Sequence, residues 1–213
     1  SMTPQSFPIW KLSNAWISTA EMLKRSADKL LFDYQLAYQE LSRQTSQAIA
    51  SKERTPITLP PDLDLYCPYM LLMGYAIENL IKGAIICGTG LNDPGFGGAV
   101  NFDDFRAVNR ENGAPWTIDQ HGFVNLLKVT AIRSDLFNDD EKKVLQYLDI
   151  IIKWGGRYPV PKRPEPGRSS GFVCAEPPYI GSRNILPIPA VNSIYEKALE
   201  EMRRVCSQYQ AED

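Results

Sequence analysis

The sequence has little of what most metal sites and disulfide-rich secreted scaffolds need. It contains 213 residues but only four cysteines and one histidine. No two cysteines form a CxxC pair, which disfavours a zinc site of the usual kind, so we expect no metal and no cofactor. The cysteines are too sparse for a disulfide framework, and we expect them to be reduced and mostly buried. They are Cys67, Cys87, Cys174 and Cys206.

The chain also lacks an excess of charge of either sign and an uninterrupted membrane span. Lys plus Arg is 23 and Asp plus Glu is 25, which gives a formal net charge of −2. Hydrophobic residues make up 44%, an ordinary value for a globular protein. The longest apolar stretch, near residues 65–87, contains Gly74, Glu78, Asn79 and Lys82, which is typical of a buried helix. With no signal peptide apparent, we expect a cytoplasmic protein that does not bind membranes.

Alternation of apolar and polar residues, the usual sign of strands, is not convincing anywhere, and there is no internal repeat. Apolar residues instead recur at helical spacing. The spacing predicts an all-α bundle of about five helices in one domain over residues 9–209. The second helix is apolar nearly all round, which is typical of a central position. The predicted helices are 9–50, 66–87, 119–132, a fourth that starts at Asn138 with a capping box to Glu141 and stops at Gly155-Gly156, and 190–209.

Two segments between the predicted helices have unusual compositions. Residues 88–115 hold six of the fourteen glycines and predict a long loop. A phosphate-binding loop is disfavoured there, because the segment follows a helix and lacks a Gly-Lys-Ser/Thr ending. Residues 155–189 hold eight of the sixteen prolines, which predicts an extended, polyproline-like segment.

Glu78 and Lys82 are the first candidate site residues. They are four apart with the acid first, an order that favours a side-chain pair on one helix face. On a central helix this pair would be costly unless its charges are satisfied. We consider two interpretations: a structural ion pair that orients packing, or a polar site inside the bundle.

His121 is the second candidate, because it is the single histidine and falls in the first turn of the predicted third helix. The positive end of the helix dipole disfavours its protonation. A neutral imidazole could donate and accept hydrogen bonds, either as a structural group or as a catalytic one.

The third candidate is a basic, aromatic segment after the predicted fourth helix. Residues 153–168 contain five basic residues and one acid. Arginine and aromatic side chains on an extended segment suit contacts to phosphates and bases. The alternative is a surface loop whose aromatic rings pack down while the cations stay solvated. The residues concerned are Trp154, Arg157, Tyr158, Lys162 and Arg163.

Taken in order, these three stretches resemble the HEPN family of prokaryotic helical bundles. In that family a second helix carries Glu-x-x-x-Lys-Ala/Gly, a third begins with His followed by leucines, and a fourth runs into Arg-Tyr-Pro. The matching stretches here are Glu78 to Gly83, His121 to Leu127, and Arg157-Tyr158-Pro159. The resemblance covers a core of about residues 65–162.

The resemblance implies a role with RNA, since many members of that family are metal-independent ribonucleases. Their usual signature, an Arg and a His four to six residues apart, is absent: Ala114, Pro115 and Trp116 stand upstream of His121. We therefore expect a domain that binds nucleic acid, a nucleotide or a cognate protein without its own catalysis, as a homodimer. Two alternatives are a divergent ribonuclease and a purely structural dimerisation unit. The ribonuclease would use His121, Arg157, Glu78 and Tyr158, whereas the binding domain would use Arg157, Tyr158, Trp154, Lys162, Arg163 and Lys82.

Overall fold

The computed structural model places four of the five predicted helices close to where apolar spacing predicts them. It describes residues 13–51, 56–88, 106–113, 115–117, 122–152 and 187–210. Over these residues the fold is an all-α bundle, which confirms the predicted class. A short 3-10 helix, Pro61–Leu65, leads into the second α-helix. The α-helices are α1 (Ser13–Ser51), α2 (Tyr66–Gly88), α3 (Phe123–Leu126), α4 (Asp139–Ile150) and α5 (Ile188–Gln210).

Helix α2 lies at the centre of the bundle, as its apolar character predicts. It contacts α1 and α5 along much of its length and also touches α3 and α4. Tyr69, Met70 and Ile77 have no exposed surface. Pro61–Gly88 is long and apolar enough to cross a membrane by length and composition, and 78% of its most apolar stretch is buried inside the fold.

The predicted capping box of α4 is confirmed. The Asn138 side chain accepts a hydrogen bond from the Glu141 amide at 2.8 Å, and the Glu141 carboxylate accepts one from the Asn138 amide at 2.9 Å. Glu141 also accepts from Lys197 Nζ at 2.7 Å, which fastens α4 to α5. Burial raises the pKa of Glu141, but the hydrogen bonds from Lys197 and Asn138 outweigh burial and leave this pKa below its ordinary value. The predicted stop at Gly155-Gly156 lies outside the described residues.

The prediction of a third helix over residues 119–132 is wrong. Helix α3 has one turn, Phe123–Leu126, and turns follow it. The reason is Arg110, whose guanidinium donates hydrogen bonds to the carbonyl groups of Leu127, Val129 and Ile132. These carbonyls would otherwise accept the hydrogen bonds of a continuing helix.

A small hairpin carries Arg110 to that position. Strands β1 (Arg106–Val108) and β2 (Pro115–Thr117) pair antiparallel, so the predicted loop over residues 88–115 contains one strand and stops at the start of another. Gly113, at the hairpin tip, has φ 66°, a conformation that favours glycine. Arg110 also donates its backbone N–H to Lys128 O at 2.6 Å, which joins the tip to the turns after α3.

The cysteines differ from the expectation of four reduced thiols. Cys67, near the start of α2, is disulfide-bonded, so the expectation is wrong for this residue. Cys174 lies outside the described residues. Cys87 and Cys206 are not in a disulfide. The disulfide at Cys67 counts against the predicted cytoplasmic location, because disulfides are rare in the cytoplasm.

Candidate functional site

The predicted pair on α2 forms inside the bundle. Lys82 Nζ lies 3.1 Å from Glu78 Oε1, and the two side chains are 7% and 4% exposed. Gly83 follows directly, and a Cβ added there would lie 2.7 Å from Met202 Cε and 2.8 Å from Trp16 Cβ. The ion pair therefore sits beside a point where α1 and α5 both approach α2 closely.

The C-terminal end of α4 lies beside the middle of α2. A Cβ added at Gly74 would be 2.8 Å from Ile152 Cδ1, so the absence of a side chain at Gly74 permits this contact. Eight residues earlier, Tyr66 lies against Tyr147, which adds to the effect of burial in raising the pKa of Tyr66. The two contacts show that α4 and α2 run in the same direction. Ile152, just after α4, therefore lies beside α2 one helical turn before Glu78.

Asp149 ties the start of α3 to this end of α4. Its buried carboxylate, 6% exposed, accepts a hydrogen bond from the Phe123 backbone N–H. Gly122, which precedes Phe123, has φ 139°, a value that side-chain-bearing residues rarely adopt. Gly74 on α2 and Phe123 at the start of α3 therefore both lie beside the C-terminal end of α4.

Of the predicted site residues, the structure describes Glu78 and Lys82. The remaining predicted residues lie outside the described part of the chain; they are His121, Trp154, Arg157, Tyr158, Lys162 and Arg163. Neither residue presents much surface to solvent: counted with its backbone, Glu78 is 3% exposed and Lys82 is 6% exposed.

A cavity of about 250 Å³ opens between α3, the turns that follow it, and α4. Its apolar lining comes from both sides and includes two buried aromatic rings, Phe123 at 1% and Phe137 at 2% exposure. Because Asp149 holds the Phe123 backbone, the buried carboxylate also positions this wall. The other apolar lining residues are Val124, Leu127 and Leu145.

Among the described residues, the polar lining of the cavity contains three cations and no carboxylate. The cations are Lys128, Arg133 and Lys142, and Ser134 and Gln146 complete the polar set. Lys128 Nζ lies 2.9 Å from Glu111 Oε2 and Lys142 Nζ lies 3.6 Å from Asp139 Oδ1. Both acids are largely exposed, and such surface pairs contribute about 0–1 kcal/mol. The two lysines can therefore exchange these partners for a ligand anion at little cost.

Arg133 is held more firmly. Its Nε lies 2.8 Å from Glu201 Oε2, and the Glu201 side chain is 1% exposed. Burial raises the pKa of Glu201, but the hydrogen bond from Arg204 and the charge of Arg133 outweigh burial and lower it below the ordinary value. The carboxylate stays ionised at neutral pH, and it fixes Arg133 at the cavity edge.

Sequence reasoning missed this cavity. It predicted one longer helix over residues 119–132, and it left Lys128, Arg133 and Lys142 without a role. Lys142, Leu145 and Gln146 do share one face of α4 by their spacing of three and four residues, which was the available signal. The opposite wall depends on the turn held by Arg110, which no local pattern indicates.

Within the described ranges, no group of three or more His, Cys, Asp or Glu residues could hold a metal ion. No protein-family model, curated protein or solved structure matches the chain. The resemblance to the HEPN family therefore rests on the three sequence motifs.

Proposed function

We propose that this chain is a HEPN-like helical domain that binds RNA or a nucleotide and has no catalytic activity of its own. The observation that carries the proposal is the cavity between α3 and α4. It combines apolar residues with three cations, and the described residues of its lining include no carboxylate. Nucleotides present the complementary pair of features, a flat ring and an anionic phosphate.

The cavity is of a size for one nucleotide unit. Its volume of about 250 Å³ lies just below the range of roughly 300–1,000 Å³ that small-molecule pockets usually have. A single base with its phosphate at the lysines fits this volume better than a dinucleotide. The basic segment 153–168, outside the described residues, starts directly after Ile152 and supplies further cations along the chain.

The lysines at the cavity give the first test. Lys128→Ala combined with Lys142→Ala should weaken binding of a fluorescein-labelled single-stranded RNA by roughly three- to thirtyfold at low salt, because two phosphate contacts are lost. The slope of log affinity against log salt should fall by about 0.7 for each contact. Fluorescence anisotropy over a salt series measures both quantities.

Lys143→Ala is the matched control, because Lys143 lies on the same helix, is 61% exposed and does not line the cavity. An equal loss of binding in this control would contradict a cavity-centred site. The same RNA, incubated with the protein in a chelator, should stay intact. Cleavage that His121→Ala abolishes would favour the ribonuclease alternative instead.

The homodimer is a further part of the proposal, and the outer face of α1 supports it. Phe32 and Leu36, one turn apart on α1, are 61% and 50% exposed, and Met22, nearer the start of the helix, is 53% exposed. Exposed apolar groups clustered on one helix are typical of an interaction surface. The chain should therefore sediment at twice its 24.0 kDa mass at micromolar concentration.

Phe32→Ser with Leu36→Ser should shift the sedimentation equilibrium to the monomer mass. Leu59→Ser provides the control, because Leu59 is 71% exposed but lies after α1. A wild-type chain that sediments as a monomer would remove the dimer from the proposal and leave the cavity unaffected.

A further inference from the structure

Two thiols meet where the C-terminal ends of α2 and α5 come together. Cys87, one residue before the end of α2, is 5% exposed, and Cys206 on α5 is half-buried. Their sulfur atoms lie 2.7 Å apart without a disulfide between them. This is about 0.7 Å longer than a covalent S–S bond. Carbon atoms in van der Waals contact lie about 3.5–4.0 Å apart and sulfur is larger, so the two sulfur atoms are well inside non-bonded contact.

The packing around the thiols brings the two helix backbones close together. A Cβ added at Gly88 would lie 3.1 Å from Val205 Cγ1, and one added at Gly83 would meet Met202. Cys206 Sγ also lies 4.0 Å from Met202 Sδ. Glycines on α2 therefore admit the side chains of α5 on both sides of the thiol pair. A disulfide needs this close backbone approach.

We propose that Cys87 and Cys206 are an oxidative modification site, at which an intramolecular disulfide joins the C-terminal end of α2 to α5. A low-molecular-weight disulfide, such as oxidised glutathione, is the oxidant. The Cys206 thiol is the more exposed of the two, and it loses its proton and attacks one sulfur of the oxidant. The S–S bond of the oxidant breaks, one glutathione thiolate leaves and takes up a proton, and Cys206 carries a mixed disulfide.

Cys87 then completes the reaction. Its thiol loses a proton and attacks the Cys206 sulfur of the mixed disulfide, which expels the second glutathione thiolate. In total, two protein thiols are oxidised, one glutathione disulfide is reduced to two thiols, and the two protons pass to the released glutathione. The contact with Cys206 and burial both raise the pKa of the Cys87 thiol. Cys206 is therefore favoured as the thiol that attacks the oxidant in the first step.

The cross-link would close a long loop. The two cysteines are 119 positions apart, and Cys67 at the other end of α2 is already disulfide-bonded. Constraining so long a loop restricts the unfolded chain more than the folded one. For a chain of this size, the oxidised protein should melt roughly 4–16 °C above the reduced protein.

The test uses the full chain in its native state, incubated with oxidised glutathione and then digested without reduction. We expect a cross-linked peptide pair containing Cys87 and Cys206 in the mass spectrum, loss of two thiols by thiol titration, and the rise in Tm. Cys87→Ser should instead retain glutathione on Cys206 and show no rise in Tm. The peptide map of the wild-type chain does not depend on the folding of any variant. Two thiols that persist after oxidation, or a wild-type chain that stops at the mixed disulfide, would overturn the proposal.

Discussion

Lys82→Met should lower the free energy of unfolding by about 3–5 kcal/mol, which corresponds to a fall in Tm of roughly 6–20 °C. The lysine amine lies 3.1 Å from Glu78 Oε1, and both side chains are almost fully buried. Methionine keeps most of the lysine volume but removes the positive charge. The Glu78 carboxylate then stays in the low-dielectric interior without this cation, which offsets part of the desolvation cost of the carboxylate. Chemical denaturation followed by circular dichroism measures the change.

A second variant separates this charge effect from simple repacking. Glu78→Leu combined with Lys82→Met removes both charges, and it should recover much of the loss, since apolar replacements of a buried pair are often neutral or stabilising. Lys143→Met is the control, because Lys143 and its partner Asp140 are 61% and 63% exposed and should contribute less than about 1 kcal/mol. A single Lys82→Met variant as stable as the control would show that the Glu78–Lys82 pair does not hold α2 in place.

The central helix could be predicted from sequence because its information is local. Apolar residues on every face of 66–87 require neighbours on every face, and a spacing of four residues is enough to pair Glu78 with Lys82. The α4 cap is equally local, since Asn138 and Glu141 are three residues apart and satisfy each other's backbone. In each case the partners lie within about one helical turn, so forming the helix is enough to bring them into contact.

The parts that sequence could not supply depend on distant partners. Arg110, in the turn of the hairpin, ends the third helix through a carbonyl group 22 residues away. Asp149 positions Phe123 from 26 residues away. Cys87 and Cys206 meet across 119 positions. No periodicity encodes such pairs, because they arise only after the helices pack. The cavity wall beside Lys128 and Arg133 is a product of these long-range contacts, which is why it was missed.

Gly83, the last residue of the Glu78 to Gly83 motif, has a packing role, and its replacement should strongly lower the stability of the fold. Gly83→Val should lower the free energy of unfolding by about 3 kcal/mol, a fall in Tm of roughly 6–12 °C. A Cβ at this position would lie within 2.8 Å of atoms on two different helices, Met202 on α5 and Trp16 on α1. The Met202 side chain can move away at its flexible end. Trp16 Cβ adjoins the α1 backbone, so its approach can be relieved only by shifting α1.

Substitution by alanine at two glycines of α2 distinguishes packing from helix propensity. Alanine in a helix interior is about 1 kcal/mol more favourable than glycine, so propensity alone would make Gly83→Ala stabilising. We expect it to be destabilising, because the alanine Cβ meets the same three atoms of Trp16 and Met202. Gly88→Ala should be close to neutral, since its Cβ would lie 3.1 Å from the nearest atom, Val205 Cγ1. A Gly83→Ala chain that melts at or above the wild-type temperature would show that α1 and α5 do not close on α2 at Gly83, and the glycine of the motif would then need another explanation.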